Sequence, residues 1–309
     1  MRALVTGSEG FIGRYMVKLL ADEGYEVWAS VQEKEYGEDV NAHRLVKCDV
    51  TVAGEVDDAV GKSRPDVVYH LAAQSYPTVS WDKPQLTMET NAIGTVNLFE
   101  SLLKHELDPV VVVACSSAEY GYVSEREVPV KETHRLEPLH PYGVSKLAQD
   151  HITRQYSENR GMKGVSARIF NTTGPGKVKD AVSDFAKRVA ECEAGKLDKV
   201  THGNLNVRRD ITDVRDMVRA LHACEKARYG EAYNLCSMKT YWIKDILKTL
   251  VDMADAEVKT EEDPKLLRKA DEPIIMGDNT KIRGETGWEP RIPLEQTLRD
   301  TLEQWRARV

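Results

Sequence analysis

The sequence predicts an α/β protein built on a doubly wound parallel sheet, followed by a smaller α/β region. Two observations support this prediction. Short apolar segments rich in β-branched residues alternate with helical patterns through residues 1–170, which is typical of parallel strands covered by helices on both faces. After that point the alternation weakens and helical patterns predominate. We therefore expect one domain at 1–170 and a second mainly at 171–309, with parts of 205–235 as candidates for a return to the first.

The elements follow from short apolar runs for strands and amphipathic runs for helices. In the first domain we expect strands at 2–6, 25–31, 44–48, 66–71, 109–115 and 165–170, and helices at 11–23, 56–61, 84–105 and 142–159. In the second we expect helices at 180–194, 213–227, 243–254 and 294–306, and strands at 207–211 and 232–235. Asp213 is expected to cap the helix that follows it, because aspartate is a preferred residue at that position.

Composition restricts the class of protein. The chain has 309 residues, 41% of them hydrophobic and 30% charged, with a formal net charge of −7. This charge argues against a nucleic-acid or anionic membrane partner, and no apolar run approaches the ~18 residues that a spanning helix needs. The five cysteines are scattered and odd in number, so we expect reduced thiols in a cytoplasmic protein, with neither disulfides nor a metal site.

A glycine-rich turn joins the first strand to the first helix. Gly7, Gly10 and Gly13 are spaced so that one allows a tight turn, one lets the backbone approach a pyrophosphate, and one lets the helix pack on the strand. The helix start, at Phe11 and Ile12, would offer N–H groups and partial positive charge to phosphates. The G-x-x-G-x-x-G spacing differs from the G-x-G-x-x-G dehydrogenase fingerprint, and an ordinary strand-to-helix turn is the alternative.

The ligand that such a turn predicts is a dinucleotide, NAD(H) or NADP(H). An acid at the end of the second strand would bond the ribose 2′-hydroxyl of NAD, and an arginine would accept the 2′-phosphate of NADP. Neither stands where we expect it, because the stretch 29–34 reads ASVQEK. Gln32 could contact either cofactor, so the choice between NAD and NADP stays open.

Tyr142 and Lys146 lie four residues apart, so they share one face of a predicted helix. A free tyrosine has a pKa of about 10, and a lysine cation close by would stabilise the phenolate and lower that pKa. Ser116, at the end of the fifth strand, would supply a hydroxyl partner, because open α/β sheets bind ligands at the carboxyl ends of their strands. A solvated Tyr–Lys pair and a turn serine are the alternatives.

Together these motifs resemble the extended short-chain dehydrogenase/reductase family of nucleotide-sugar enzymes, which implies a Rossmann-type doubly wound sheet and a sugar-nucleotide-binding second domain. The resemblance extends in order along nearly the whole chain. The segments that match the family are 6–13, 48–50, 70–73, 91–95, Ser116, 142–146, 168–171, 174–176 and 286–288.

The resemblance implies a role for each matching residue. Tyr142 would be the acid–base residue, Lys146 would lower its pKa and bond the nicotinamide ribose, and Ser116 would bond the oxygen at carbon 4 of the sugar. Asn171 would lie beside the phosphates of the sugar nucleotide. Besides the glycine turn and Gln32, the implied cofactor contacts are Asp49, Val50, Leu71, Ala72, Ala73 and Asn91.

One branch of the family, the GDP-mannose-type enzymes, is the most similar, through segments that include 203–205 and 209–216. In that branch Arg209 and Arg268 would hold the diphosphate, since a guanidinium can bond phosphate oxygens bidentately. Lys187 would add a point charge. Ser75 and Ser117 are further candidate substrate contacts. Each cation is alternatively a surface residue, and the implied substrate is a nucleotide sugar linked to GDP.

The loop after the fifth strand separates the activities that the resemblance allows. A 4,6-dehydratase carries a carboxylate two residues after its Ser/Thr to remove the carbon 5 proton, and here that position holds Ala118. Glu119 is one place later, which in a strand points the side chain to the other face, whereas a turn would let it replace the missing carboxylate. The segment 32–43 is short and acidic where the GDP-mannose dehydratases carry a long arginine-rich segment, so we do not expect their tetramer.

The resemblance therefore favours a reductase of the 4-keto group of GDP-4-keto-6-deoxymannose, which needs a hydride and a proton but no base at carbon 5. A GDP-mannose 4,6-dehydratase is the first alternative and a nucleotide-sugar 4-epimerase the second. A non-catalytic dinucleotide sensor on the same fold is a hypothesis from another class. The family also implies a homodimer formed by the helices at 84–105 and 142–159.

Overall fold

The computed structural model describes residues 1–32, 42–266 and 273–309. Most of the acidic 32–43 segment lies outside the described residues, and so does Arg268.

A seven-stranded parallel sheet forms the centre of the molecule. Its strands are β1 (Arg2–Thr6), β2 (Glu26–Val31), β3 (Arg44–Lys47), β4 (Val67–His70), β5 (Val110–Ser116), β6 (Lys163–Ile169) and β10 (Ala232–Leu235). Their order is β10-β6-β5-β4-β1-β2-β3, and every adjacent pair is parallel. The predicted α/β class and doubly wound sheet are confirmed.

Helices cover both faces of this sheet, because its strands are apolar on both sides. Ala3 and Val5 of β1 belong to a core shared with α1 and α8, whereas Leu4 points to the opposite face and packs with α2 and α5. The helices that precede β6 are α1 (Phe11–Asp22), α2 (Ala53–Ser63), α3 (Pro77–Asp82), α4 (Pro84–Met88), α5 (Gly94–Lys104) and α6 (Pro141–Arg160). Two later helices also pack near this sheet, α8 (Val214–Ala223) and α10 (Thr280–Thr286).

The remaining residues after β6 build a smaller region around a separate core. Its strands are β7 (Asn171–Thr173), β8 (Lys199–His202), β9 (Arg208–Asp213), β11 (Thr240–Trp242), β12 (Lys259–Glu262) and β13 (Ile274–Ile275). β9 pairs with β7, β11 and β13, and β8 pairs with β12. Three helices surround this core, α7 (Ala181–Glu193), α9 (Ile243–Asp252) and α11 (Leu294–Arg306).

Local differences from the predicted elements have simple causes. The predicted helix at 84–105 consists of α4 and α5 joined by a π-helical turn, Glu89–Ile93. The sequence does not predict β7, β8, β11, β12 or β13, because two to four residues carry too little periodicity, and β12 is exposed along its whole length. Asp213 caps α8 as predicted, since its Oδ1 accepts a hydrogen bond from Arg215 N at 2.8 Å.

Candidate active site

The candidate site lies where the strand order reverses, between β1 and β4. Open α/β sheets bind ligands beyond the carboxyl ends of the strands at such a point. The glycine turn follows β1, residues 71–73 follow β4, and the two loops touch. Leu71 N and Ala72 N donate to Thr6 Oγ1 at 3.1 and 3.2 Å, and a Cβ on Gly7 would lie only 2.7 Å from Ala72 N. The fold therefore brings the glycine turn beside Leu71, Ala72 and Ala73.

The glycine turn has the local geometry that anion binding needs. Gly7 has φ +67°, a conformation that other residues rarely adopt. A Cβ on Gly13 would collide with the Gly7 carbonyl oxygen, so α1 packs against the turn as closely as it does only because position 13 is glycine. α1 begins at Phe11 behind Gly10 without a side-chain cap, which leaves the N–H groups near Ile12 available to a phosphate.

Three predicted cofactor contacts lie after β2 and β3. Asp49 Oδ1 accepts hydrogen bonds from the backbone N and the hydroxyl of Thr51 at 2.9 and 2.8 Å, so this carboxylate closes the turn into α2. The Val50 carbonyl accepts from Asn97 Nδ2 at 2.8 Å. Gln32 is exposed, and its backbone N donates to Glu9 Oε2 at 3.0 Å. This hydrogen bond joins Glu9, in the glycine turn, to the end of β2.

A chain of buried polar side chains connects β1 to the lysine of α6. Adjacent members are 2.7–3.1 Å apart, and in order they are Thr6, His70, Thr95, Gln149 and Lys146. Burial, assisted by the Lys146 charge, lowers the pKa of His70 to about 3, so this imidazole is neutral at physiological pH. The chain fixes where Lys146 Nζ lies, and Nζ also donates to Ala114 O at 2.7 Å.

The three residues predicted to be catalytic belong to adjoining elements. Ser116 ends β5, and Tyr142 and Lys146 lie one turn apart at the start of α6. α6 begins there because Pro141 occupies its first turn and His140 Nδ1 accepts from Gly143 N at 3.0 Å. Lys146 Nζ lies 5.9 Å from the centroid of the Tyr142 ring, so the fold brings the predicted pair together.

The pKa of Tyr142 differs from the sequence prediction. Burial raises it to about 12, against a lowering effect of a hydrogen bond with Ser116. Burial likewise lowers the pKa of Lys146 to about 8. In this structure burial, which destabilises the charged forms of both Tyr142 and Lys146, outweighs the lowering expected from Lys146. Tyr142 is therefore a protonated phenol at neutral pH.

Glu119 does not occupy the place of the missing carboxylate. Ser117–Glu119 forms a 3-10 turn, so the strand argument does not apply, but the side chain is fully buried. Glu119 Oε1 accepts a hydrogen bond from Ser116 N at 2.8 Å, and Ser116 Oγ accepts from Ala118 N at 3.1 Å. Glu119 therefore holds the backbone of the turn, and Ala118 presents only a methyl group.

The other Glu119 oxygen faces a buried ion pair that sequence reasoning missed. Arg168 Nε lies 2.8 Å from Asp150 Oδ2 and 3.3 Å from Glu119 Oε2, and all three side chains are buried. Glu119 Oε2 and Asp150 Oδ1 have no hydrogen-bond donor in the described part of the chain. Burial and the Asp150 charge hold the pKa of Glu119 well above its usual range. One proton on Glu119 lets the two carboxyls bond and leaves the cluster neutral.

Asn91 is fully buried beneath the loop that follows β4. Its Oδ1 accepts from Gln74 N and its Nδ2 donates to Ser145 Oγ, each at 2.8 Å. In this structure the side chain joins that loop to α6, and its predicted contact with the cofactor stays a prediction. Ser75, one residue beyond Gln74, is exposed.

Only some of the predicted substrate-binding residues lie near one another in the structure. Asn171 is exposed at the start of β7 and donates from Nδ2 to Asp210 O at 3.1 Å, which ties it to β9, the strand that carries Arg209. Ser117 is partly exposed in the 3-10 turn. Lys187 lies elsewhere, on the surface between α7 and α11, with Nζ 3.4 Å from Glu191 Oε1 and 5.8 Å from the Trp305 ring centroid.

A cation near the glycine turn, Lys177, was not predicted. Lys177 Nζ lies 4.9 Å from the centroid of the Phe11 ring, at the start of α1. Tyr15 Oη of α1 donates to Pro175 O at 2.8 Å, which fixes the loop before Lys177 against this helix. The Gly174-Pro175-Gly176 motif is the sequence signal that could have identified this lysine, since it directly precedes Lys177 and its Pro175 carbonyl is hydrogen-bonded to α1.

A family model described as GDP-mannose 4,6 dehydratase matches residues 4–301. The chain belongs to the GDP-mannose 4,6-dehydratase family. Among curated members, the GDP-6-deoxy-D-mannose reductase of Pseudomonas aeruginosa is 30% identical, with 100% of this chain and 98% of the relative covered. The human GDP-mannose 4,6 dehydratase is 24% identical, with 96% and 89% covered.

Solved structures agree with this membership of the family. RMD from Pseudomonas aeruginosa complexed with NADPH superposes with a TM-score of 0.89 at 29% identity, covering 100% of this chain and 99% of that one. The Thermus thermophilus UDP-glucose 4-epimerase in complex with NAD gives 0.88 at 28% identity, with both chains fully covered. These similarities extend over both regions of the chain.

The described residues contain neither a membrane-spanning helix nor a metal-binding cluster. In 1–32, 42–266 and 273–309 no helix combines the length and apolar character needed to cross a membrane. Within the same ranges no three His, Cys, Asp or Glu side chains are grouped so that they could hold a metal ion.

Proposed function

We propose that this chain reduces the 4-keto group of GDP-4-keto-6-deoxymannose with NAD(P)H and forms a GDP-6-deoxyhexose. The main support for this proposal is the structure of the loop after β5. Ala118 has no carboxylate, and Glu119 is buried against Ser116 N and Arg168, so the loop offers no base for carbon 5. A reduction at carbon 4 needs none. Similarity to a GDP-6-deoxy-D-mannose reductase over the full chain supports the same choice.

The residues around the switch point fit a nicotinamide dinucleotide. The uncapped start of α1 suits a pyrophosphate, and Glu9 Oε1, buried without a hydrogen-bond partner, marks a polar subsite at the end of β2. Asp49 and Val50 would flank the adenine, and Lys146 would bond the nicotinamide ribose. When bound, the cofactor supplies the hydride for carbon 4.

Side chains of the protein carry out the proton transfer. Tyr142, whose pKa burial raises to about 12, is protonated at neutral pH and donates its proton to the oxygen at carbon 4. Ser116 Oγ accepts from Ala118 N and its hydroxyl hydrogen-bonds Tyr142, so with substrate bound the Ser116 hydrogen would polarise the same oxygen. Lys146, whose pKa burial lowers to about 8, is charged below that pH and stabilises the phenolate that remains.

The substrate phosphates would be held by the C-terminal region. Arg209 and Asn171 lie on paired strands, and a planar guanidinium bonds phosphate oxygens bidentately. We assign the diphosphate to this pair with Arg268, and Lys187 would contribute only after leaving Glu191. Ser75 and Ser117 remain proposed contacts of the sugar.

Oxidation of the reduced cofactor in the presence of the 4-keto sugar nucleotide tests the proposal. Absorbance of NAD(P)H should fall with wild-type protein, and Tyr142→Phe should lower kcat by at least about 100-fold, because a positioned acid contributes about that factor. Cofactor affinity should be unchanged in this variant. Tyr229→Phe, which alters an exposed tyrosine, is the matched control and should retain full activity. No loss of absorbance with wild-type protein would refute the reductase.

A GDP-mannose 4,6-dehydratase is the second candidate, favoured by the family model and by several curated relatives. A nucleotide-sugar 4-epimerase is the third. Both regenerate their cofactor within one turnover, so tightly bound oxidised dinucleotide in the purified protein and conversion of GDP-mannose without added reductant would favour them. The proposed reductase consumes one reduced cofactor for each product.

We also propose a homodimer in the cytoplasm. Three exposed apolar side chains lie on neighbouring helical segments that correspond to the family's dimer helices: Leu86, Ile93 and Val144, with 42%, 51% and 45% of their surface accessible. A patch of this kind on a monomer indicates an interaction surface. All five cysteines are unpaired thiols, which suits a reducing compartment.

A further inference from the structure

The glycine turn carries an acid that the anion-binding geometry does not require. Glu9 follows Ser8 in the turn, and its Oε2 accepts a hydrogen bond from Gln32 N at 3.0 Å. Its second oxygen, Oε1, is buried and has no hydrogen-bond partner among the described residues. An unpaired buried carboxylate oxygen is costly, so the position calls for a hydrogen-bond donor.

The position of this carboxylate identifies the donor. Gln32 directly follows β2, and its backbone N–H points at Glu9. In a dinucleotide-binding sheet the ribose of the adenosine lies at the end of β2, where an acid accepts its 2′-hydroxyl or a cation accepts a 2′-phosphate. Here β2 itself ends without an acid, and the loop after β1 supplies one at the same place.

We propose that Glu9 accepts the 2′-hydroxyl of the adenosine ribose and makes the chain select NAD(H) over NADP(H). This assignment rests on the proposed function, since it takes the cofactor to lie in this cleft. A 2′-phosphate would bring up to two negative charges to a carboxylate that has no cation bonded to either oxygen in the described chain. Two anions at this distance repel each other strongly where water is partly excluded.

Arg14 is the charged group that competes with this assignment. It is exposed on α1, and its Nε donates to the Glu9 carbonyl oxygen at 3.0 Å. A guanidinium near the ribose is the usual device for accepting a 2′-phosphate. Arg14 is bonded to the Glu9 main chain, and among the described residues no cation bonds the Glu9 carboxylate, so we assign the selection to the acid.

Direct binding of NADH and NADPH, measured by calorimetry without any sugar nucleotide, tests the proposal. Wild-type protein should bind NADH at least tenfold more tightly than NADPH. Glu9→Ser should move this ratio by at least tenfold towards NADPH, through weaker NADH binding and stronger NADPH binding. Glu23→Gln, which removes an exposed acid at the other end of α1, is the matched control and should leave the ratio unchanged.

Three outcomes would overturn the assignment. One is equal or tighter binding of NADPH by the wild-type protein, and another is an unchanged ratio in Glu9→Ser. The third is loss of tight NADPH binding in Arg14→Gln with NADH binding intact, which would make Arg14 a ligand of the 2′-phosphate. Binding of neither nucleotide would refute the proposed function as well, so the two failures are distinguishable.

Discussion

The Glu119 side chain shows how one buried proton can hold the turn after β5 in place. Its Oε1 bonds Ser116 N, and its Oε2 faces Arg168 and Asp150. One guanidinium cannot neutralise two carboxylates, and a net buried charge is expensive. A proton on Glu119 removes that charge and supplies the donor that Asp150 Oδ1 lacks. Protonated Glu119 is therefore a neutral hydrogen-bonding group that holds the turn after β5.

This protonation predicts how stability changes with pH. The folded pKa of Glu119 is raised, whereas the unfolded chain titrates at the ordinary value, so unfolding releases a proton between the two. Below the unfolded pKa the stabilising effect of the proton is complete, and it falls by about 1.4 kcal/mol per pH unit until the folded pKa is passed. Glu119→Gln mimics the protonated form and should remove this fall. Its Tm should therefore exceed that of the wild type by a margin that grows as the pH rises above the ordinary glutamate pKa.

Glu119→Ala gives the complementary measurement, because it loses the bond to Ser116 N and leaves a cavity. Its free energy of unfolding should fall by at least about 2 kcal/mol at every pH. Thermal unfolding of the three proteins across pH separates the two effects. An equal Tm difference between Glu119→Gln and wild type at all pH values would mean that Glu119 is ionised in the fold.

At the scale of elements, the α6 helix and the turn after β5 must keep a fixed spacing. A Cβ on Gly143 would lie 2.7 Å from Ala118 O and 2.8 Å from Pro138 Cβ, so Gly143→Ala must push the start of α6 away from the turn. Tyr142 lies on one side of that contact and Ser116 on the other. We expect kcat in the reductase assay to fall at least tenfold, because small displacements of reacting groups are costly, while the far-UV circular dichroism spectrum is retained.

Gly54→Ala is the matched control for this prediction. Gly54 lies in α2, where an added Cβ meets nothing within 4 Å. The change should stabilise the helix by up to about 1 kcal/mol and leave kcat as it is. Full activity of Gly143→Ala would show that the spacing between α6 and the turn is not required for proton transfer.

Elements with a strong period could be predicted from the sequence, and contacts between distant segments could not. The β-branched runs of the parallel sheet and the glycine turn are local signals, so their positions agree with the structure within a few residues. The burial of Glu119 depends on Arg168 of β6 and Asp150 of α6. The place of Glu9 depends on Gln32. Side-chain contacts between residues 23 to 49 positions apart cannot be recognised from a single sequence.

The whole molecule carries a net charge of −7, although both proposed ligands are polyanions. Long-range electrostatics therefore oppose their approach, and short-range groups must outweigh the repulsion. The groups that we propose for this in the described chain are the uncapped start of α1, Lys177 above the Phe11 ring, and Arg209 on the strand paired with β7. In our proposal Glu9 adds a negative charge beside the 2′ position of the adenosine ribose, where NADP(H) carries a phosphate and NAD(H) a hydroxyl.

The exposed apolar patch predicts the oligomeric state. Ile93 lies in the π-helical turn between α4 and α5, and Leu86 and Val144 are exposed on α4 and α6. If the patch is the dimer interface, a charged side chain at position 93 would be buried there without a partner, which costs several kcal/mol. Wild-type protein should sediment at twice the chain mass of 34.8 kDa, and Ile93→Lys should sediment as a monomer. Leu197→Lys, on an exposed apolar residue outside these helices, should remain dimeric. A wild-type monomer, or a dimer that survives Ile93→Lys, would show that this patch is not the interface.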